Sequence, residues 1–157
     1  MFTNVLVPYD GSDPANRALA CAIGMANGHN PLTITVLQVA STGDLDKSSF
    51  EVAMRMAGLT DADSKKLAML RDNYLSAYKE QVQGKVSEFF EGLPENVNAK
   101  IVVKRGNPRD VICDYAKETG IDCIVMGRRG ISGIRATLGS VSAAVLRGTD
   151  LPVLVVR

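Results

Sequence analysis

The sequence predicts an α/β domain: a single doubly wound, five-stranded parallel sheet in the order 3-2-1-4-5, with helices on both faces. Three observations carry the doubly wound parallel sheet; the order 3-2-1-4-5 is one of the common orders for it and is not fixed by periodicity. Five short apolar runs alternate with segments of helical periodicity along the chain. The runs are apolar nearly throughout instead of alternating with polar residues, the pattern of strands covered on both faces. Right-handed crossovers then divide the intervening helices between two layers. The 157 residues contain no internal repeat, and residues 1–157 read as one domain.

The first strand is Thr3–Pro8. Ser12-Asp13-Pro14 opens a helix: Ser12 caps it, Asp13 suits its positive end, and proline is tolerated in the first turn. Ala18, Ala22, Ile23 and Ala26 give that helix a face of mainly small residues, fit to lie close to a sheet. Leu32–Val39 is β-branched and forms the second strand. Residues 40–64 are polar and weakly periodic, and read as a long flexible loop with a helical turn near Phe50–Met56.

Leu67, Leu70, Tyr74, Tyr78, Val82, Val86, Phe89 and Leu93 then recur at spacings of three and four. They mark a long amphipathic helix with a kink at Gly84, ended by Pro94, whose stripe is core and not a cofactor box. Asn98–Lys104 is the third strand. Asn107-Pro108 opens the third helix, with Val111, Ile112, Tyr115 and Ala116 inward and Gly120 as its stop. Asp122–Met126 is the fourth strand, Gly139–Arg147 a short helix stopped at Gly148, and Leu151–Val156 the fifth strand.

Composition narrows the function classes. Hydrophobic residues make up 46% and charged residues 22%, as in ordinary soluble domains. A net charge of +1 argues against a nucleic-acid partner. No apolar run reaches membrane-spanning length, so no membrane insertion is expected. The N-terminus enters a strand without a basic leader or cleavage site, which points to the cytoplasm.

Cys21, Cys113 and Cys123 form no CxxC pair and read as small buried hydrophobes. His29, in Gly28-His29-Asn30-Pro31, reads as a turn residue and not as a catalytic base. Asp44, Asp46, Asp61 and Asp63 lack EF-hand spacing, so no metal site of the protein's own is expected. No GxxxxGK[ST] loop is present, and no catalytic set is visible.

The chemistry concentrates in two loops. In an open α/β sheet ligands bind beyond the carboxyl ends of strands where the order reverses. There the predicted order brings Pro8-Tyr9-Asp10-Gly11-Ser12 beside the stretch from Gly127 to Gly139. Gly127 and Gly130 would let backbone approach a phosphate and adopt positive φ. Gly139-Ser140 opens a helix whose free N–H groups, with the Ser140 hydroxyl and Arg128 or Arg129, would hold the anion. A glycine-rich turn that serves packing alone accounts equally for the spacing. Asp10 would accept from a ribose or adenine donor or help hold Mg²⁺ on the phosphates, or else merely stabilise its turn.

These residues carry a resemblance that spans nearly the whole chain. Val5-Leu6-Val7-Pro8-Tyr9-Asp10-Gly11-Ser12, Leu37-Gln38-Val39, Gly106-Asn107-Pro108, Val125-Met126-Gly127-Arg128-Arg129-Gly130, Gly139-Ser140-Val141 and Leu151–Val156 stand in the order and places seen in the universal stress protein family, which the chain therefore resembles. Its nucleotide-binding branch carries G-x2-G-x9-G-S/T. Here eight residues separate Gly130 from Gly139, one fewer, and Gln38 stands where many members have histidine.

The resemblance implies an adenine nucleotide alpha hydrolase-like fold and an adenine nucleotide ligand: ATP, ADP or AMP, with Mg²⁺. It implies a binding set of Pro8, Tyr9, Asp10, Ser12, Val39, Met126, Gly127, Arg128, Arg129, Gly130, Gly139, Ser140 and Val141. In that set Asp10 contacts the nucleoside and the backbone around Tyr9 and Val39 reads adenine. Met126 and Gly127 line the end of the fourth strand. Arg129, Gly130, Gly139, Ser140 and Val141 hold ribose and phosphates.

It further implies a homodimer paired through Leu151–Val156, which would otherwise be an exposed apolar edge. The expected function is a regulatory ATP-binding protein of the stress response without fast catalysis. The alternatives are a stress protein acting only on a protein partner, and a slow ATPase. Phe50 with Met54 or Met56 would cap the bound adenine if the 40–64 loop closes.

Overall fold

The computed structural model describes residues 2–26, 30–40, 56, 58, 64–130 and 138–157. Its strands are β1 (Asn4–Pro8), β2 (Leu32–Ala40), β3 (Val97–Arg105), β4 (Cys123–Gly127) and β5 (Val153–Val156). The helices among the described residues are α1 (Asp13–Ile23), α2 (Ser64–Phe90), α3 (Pro108–Glu118) and α4 (Ser140–Gly148). The strands form one parallel sheet in the order β3-β2-β1-β4-β5, as the sequence predicts.

Strand side chains alternate between two faces, and both are covered. On one face Val5, Val7, Ile34, Val36, Cys123 and Val125 pack with α1 (Ala15, Ala18, Leu19, Ala22) and α2 (Val82, Val86). On the other, Leu6, Leu37, Ile124 and Met126 pack with α3 (Ile112, Tyr115, Ala116) and with Val145 of α4. Val5, Leu6 and Val7 are therefore all fully buried although they point to alternate faces, which is why the run is apolar throughout. At the amino edge of the sheet, the Asp122 carboxylate accepts from the Thr3 N–H (2.7 Å), the Thr3 hydroxyl (2.9 Å) and the Asn4 N–H (3.1 Å). The Asn4 amide in turn donates to the carbonyls of Thr119 (3.1 Å) and Gly120 (3.0 Å), tying β1 to the turn before β4.

Local chemistry sets the element ends. Ser12 caps α1 by accepting from the Ala15 N–H at 3.3 Å, and Asn107 caps α3 by accepting from the Arg109 N–H at 3.0 Å. Gly120 takes φ +65 just past α3, the stop expected of it. Four expectations shift. α4 is not stopped at Gly148 but runs through it, with Thr149 as its C-cap. The long helix ends at Phe90, short of Pro94, because Gly92 turns the chain at φ +74, which leaves Leu93 outside it. β5 begins at Val153, not Leu151, since Pro152 has no N–H for the ladder. Only Cys123 is fully buried; Cys21 and Cys113 are half-buried, and all three are free thiols.

His29, Phe50, Met54, Asp44, Asp46, Asp61, Asp63 and the loop around 40–64 lie outside the described residues, apart from single positions such as the exposed Met56. Among the described residues no helix is long and apolar enough to cross a membrane.

Candidate functional site

The sheet opens where its order reverses. β1 pairs with β2 through to Pro8↔Leu37, and β4 pairs with β5 through to Gly127↔Val156. Between them, β1 and β4 pair only at Val5↔Cys123 and Leu6↔Ile124. Beyond Leu6 and Ile124 the two central strands part, and the loops that follow them flank the gap.

The first loop is stiff. Tyr9 remains in the sheet through its N–H to the Leu37 carbonyl (2.9 Å). Its ring is buried beneath α1, where the phenol donates to Asn16 Oδ1 at 2.6 Å. Burial, and then the charge of Asp10, pushes the Tyr9 pKa up. Asp10 Oδ1 accepts the Ser12 N–H at 3.0 Å, across Gly11 at φ +81. The aspartate thus does stabilise its turn, and the same bond fixes its half-buried carboxylate in the gap.

The second loop meets the first at a defined point. A Cβ added to Gly130 would fall on Asp10 Oδ2, so the two loops touch there and only a glycine leaves the carboxylate its room. Gly127, the last residue of β4, lies against α1: its added Cβ would sit 2.8 Å from Pro14 C and Cβ and 3.0 Å from Ala15 N. The expectation of positive φ at Gly127 and Gly130 is corrected. Among the described residues positive φ occurs only at Gly11, Gly58, Gly92, Gly106 and Gly120. Space, and not backbone handedness, requires glycine at both positions.

The loop closes at its base. The Gly139 N–H donates to the Arg128 carbonyl at 2.9 Å, and the Arg128 N–H donates to the Val156 carbonyl at 2.7 Å. The buried Ser142 hydroxyl reaches the carbonyls of Arg128 (2.9 Å) and Gly139 (3.0 Å). The ends of the loop are therefore pinned, and the residue missing from the usual spacing falls in the stretch between them. Gly139 is the N-cap of α4 and supplies no side-chain cap. The first helical bond is Ala143 N–H to the Gly139 carbonyl, so the amides of Ser140, Val141 and Ser142 precede it and have no partner within the helix. Arg128 stands beside Arg129 and Arg157. The charge of Arg129, then desolvation, then the charge of Arg157 lower its pKa, the signature of crowded cations at the mouth of α4.

β2 runs along the other flank of the gap, where Val39 is the residue expected to read adenine through its backbone. Main-chain groups alternate sides along a strand. The Leu37 carbonyl faces β1, where it accepts from Tyr9, while the Ala40 carbonyl faces β3, where it accepts from Gly106 at 3.1 Å. Val39, two residues beyond Leu37, therefore turns its N–H and carbonyl toward β1, past Pro8, the last paired residue of that strand.

The structure thus brings Gly130 to Asp10, Gly127 to the start of α1 and Gly139 to Arg128, with Arg129 beside Arg128, while Pro8, Ser12, Val39, Ser140 and Val141 stand at the same carboxyl end of the sheet, where β1 and β4 part. Tyr9 and Met126 reach it through backbone, since both side chains are buried, that of Met126 in the core beneath α3 and α4. The sequence reading missed Ser142 and Arg157. The Ser-Val-Ser run places Ser142 at the third helical position, and that was the available signal. Among the described residues no group of three or more His, Cys, Asp or Glu gathers in a way that could hold a metal ion.

The model of the Universal stress protein family matches residues 1–157. Universal stress protein YxiE of Bacillus subtilis is 29% identical, with 100% of both chains covered. Among solved structures, universal stress protein UspA from Lactobacillus plantarum superimposes with a TM-score of 0.72 at 29% identity, covering 99% of this chain and 98% of that one. Two structures share the fold at lower identity. A universal stress protein in complex with cAMP has a TM-score of 0.60 at 22% identity, over 99% and 97% of the two chains. A family member from Arabidopsis thaliana with AMP bound has a TM-score of 0.56 at 20% identity, over 98% and 90%.

Proposed function

The chain belongs to the universal stress protein family, and from that premise and the geometry around Asp10 we propose that it is an ATP-binding regulatory protein of the stress response. One observation carries the reading. Where β1 and β4 part, Gly130 is pressed against the Asp10 carboxylate while the uncapped start of α4 faces the same gap. A carboxylate accepts from ribose hydroxyls or the adenine amine, and a helix start with free amides takes phosphate. The helix end alone is worth about 0.3–1 kcal/mol per nearby charge. The amides of Ser140, Val141 and Ser142 therefore act together with Arg128 and Arg129. Adenine meets the Val39 N–H and carbonyl. Pro8, Tyr9, Met126 and Gly127 contribute the backbone floor, and Ser12 holds Asp10 in place.

That structures of the same fold carry AMP and cAMP supports an adenine nucleotide as the class of ligand. Mg²⁺ belongs in this account on the phosphates, with Asp10 as the neighbouring carboxylate. We assign no catalytic residue, and turnover of bound ATP is expected below about 1 s⁻¹, the low end for ordinary enzymes.

We place the protein in the cytoplasm as a homodimer. The β5 edge Val153–Val156 carries no charge, whereas the β3 edge carries exposed Lys100, Lys104 and Arg105. An apolar, uncharged edge is the one suited to pairing with a second copy. The shortened spacing between Gly130 and Gly139 favours a second reading, a protein that acts only through contacts with a partner and binds no nucleotide.

Denaturing freshly purified protein and identifying what it releases by ion-pair chromatography with mass detection separates the two. An adenine nucleotide near one per chain is the expected result. An empty protein whose melting temperature is unmoved by added ATP would overturn the ATP reading and put the partner-only reading first.

A further inference from the structure

The site has a wall that neither loop supplies. In the β1–α1 turn, the three heavy atoms nearest the position of a Cβ on Gly11 all belong to Lys85 of α2: Nζ at 3.0 Å, Cδ at 3.5 Å and Cε at 3.8 Å. The lysine stem lies along the turn and ends with its ammonium against Gly11. That residue stands between Asp10, in contact with Gly130, and Ser12, the cap of α1. The placement has a firm base. Val82 and Val86, on either side of Lys85 along α2, are buried in the same core as Ala15, Ala18 and Leu19 of α1. Lys85 itself is exposed. Holding a long, flexible side chain along a backbone turn while its ammonium stays hydrated costs rotamer freedom. The cations Arg128 and Arg129 stand on the β4 side of the gap. Lys85 adds positive charge from the α2 side, with the Asp10 turn between.

We propose, on the basis of the nucleotide reading above, that Lys85 is a phosphate-binding residue of this site. It closes around the phosphate chain from the side opposite Arg128 and Arg129, and so favours nucleotides with longer chains. Gly11 is then glycine for two reasons: its φ of +81, and the space its missing side chain leaves for the lysine.

The test is calorimetric titration of wild type, Lys85→Gln and Lys85→Arg with ATP, AMP and adenosine. Both variants sit at an exposed helical position and keep good helix formers, and a melting curve checks that each is folded. Lys85→Gln is expected to weaken ATP by about tenfold, the loss of one hydrogen bond to a charged group, to weaken AMP less, and to leave adenosine within about twofold. Lys85→Arg, which keeps the charge, is expected to hold ATP within about threefold of wild type. An ATP affinity in Lys85→Gln within about twofold of wild type would overturn the proposal while leaving the nucleotide site standing, as would equal losses for ATP and adenosine. Wild-type protein that binds none of the three would overturn the nucleotide reading itself, and the role of Lys85 with it.

Discussion

Gly127→Ala separates a packing glycine from a ligand-binding one. The new methyl carbon would lie 2.8 Å from Pro14 C and Cβ and 3.0 Å from Ala15 N, where ordinary contact begins at 3.4 Å. The first turn of α1 would have to retreat by about 0.6 Å from that 2.8 Å contact. Neither neighbour yields easily: Pro14 is a rigid ring and Ala15 is buried. The turn is also held by the Ser12 cap and by the Asp10–Ser12 bond. Overpacking of this kind costs about 1–3 kcal/mol. For a chain of this length each kcal/mol lowers the melting temperature by roughly 2–4 °C. Gly127→Ala should therefore melt about 2–12 °C below wild type in the absence of nucleotide, by circular dichroism on protein stripped of ligand. Because the displaced turn carries Asp10, nucleotide affinity should fall as well. A variant that melts at the wild-type temperature would refute the reasoning, since the approach of β4 to α1 would then be loose enough to admit a side chain.

Gly130→Ala makes the opposite case: its methyl meets the Asp10 carboxylate and no backbone, so stability should fall by less than in Gly127→Ala while ATP affinity falls about tenfold or more by titration calorimetry. Leu154→Glu places a charge on the exposed apolar residue of β5. Light scattering should find wild type at twice the 16.8 kDa chain mass and the variant at the chain mass. A monomeric wild type, or a dimeric variant, would remove β5 as the pairing edge.

A fourth expectation concerns alkaline pH. Burial, then the charge of Asp122, then Cys21, pushes the Cys123 thiol up, and burial followed by Asp10 pushes up the Tyr9 phenol. Both groups ionise more readily in the unfolded chain, so the stability they contribute is complete below the ordinary thiol value of about 8.5 and is lost as pH rises through the folded values. The melting temperature should fall between pH 7 and about pH 10, and fall less in Cys123→Ala; an equal fall in both proteins would exclude the thiol as a cause.

The parallel, doubly covered sheet was legible because it follows from repeated strand–helix alternation and apolar runs such as Val5–Val7, both properties of the chain read in sequence; its order was expected only as one of the common doubly wound orders. Asp10, Gly130 and Gly139 were legible for a similar reason, as each stands just past the end of a strand or at the start of a helix. What lay hidden depends on distances across the fold. Spacing suggested positive φ for Gly127 and Gly130, whereas the structure requires their lack of a side chain, because Pro14 and Asp10 occupy the space. Met126 read as a wall of the site, yet β4 alternates and turns that side chain into the core under α3 and α4. Lys85 drew no expectation from the sequence; it stands between Val82 and Val86, and nothing in the local pattern shows that α2 passes over Gly11. The distinction between a helix start that is capped, as at Ser12, and one left open, as at Gly139, is half visible in sequence, since glycine offers no capping oxygen.

The central claim is an adenine nucleotide seated between Asp10 and the start of α4. Its most direct test is titration of nucleotide-free protein with ATP in the presence of Mg²⁺, side by side with Asp10→Ala. The account predicts a single saturable site per chain in wild type and a marked loss of affinity in the variant. No heat and no thermal shift at millimolar ATP, or equal binding by wild type and Asp10→Ala, would contradict it.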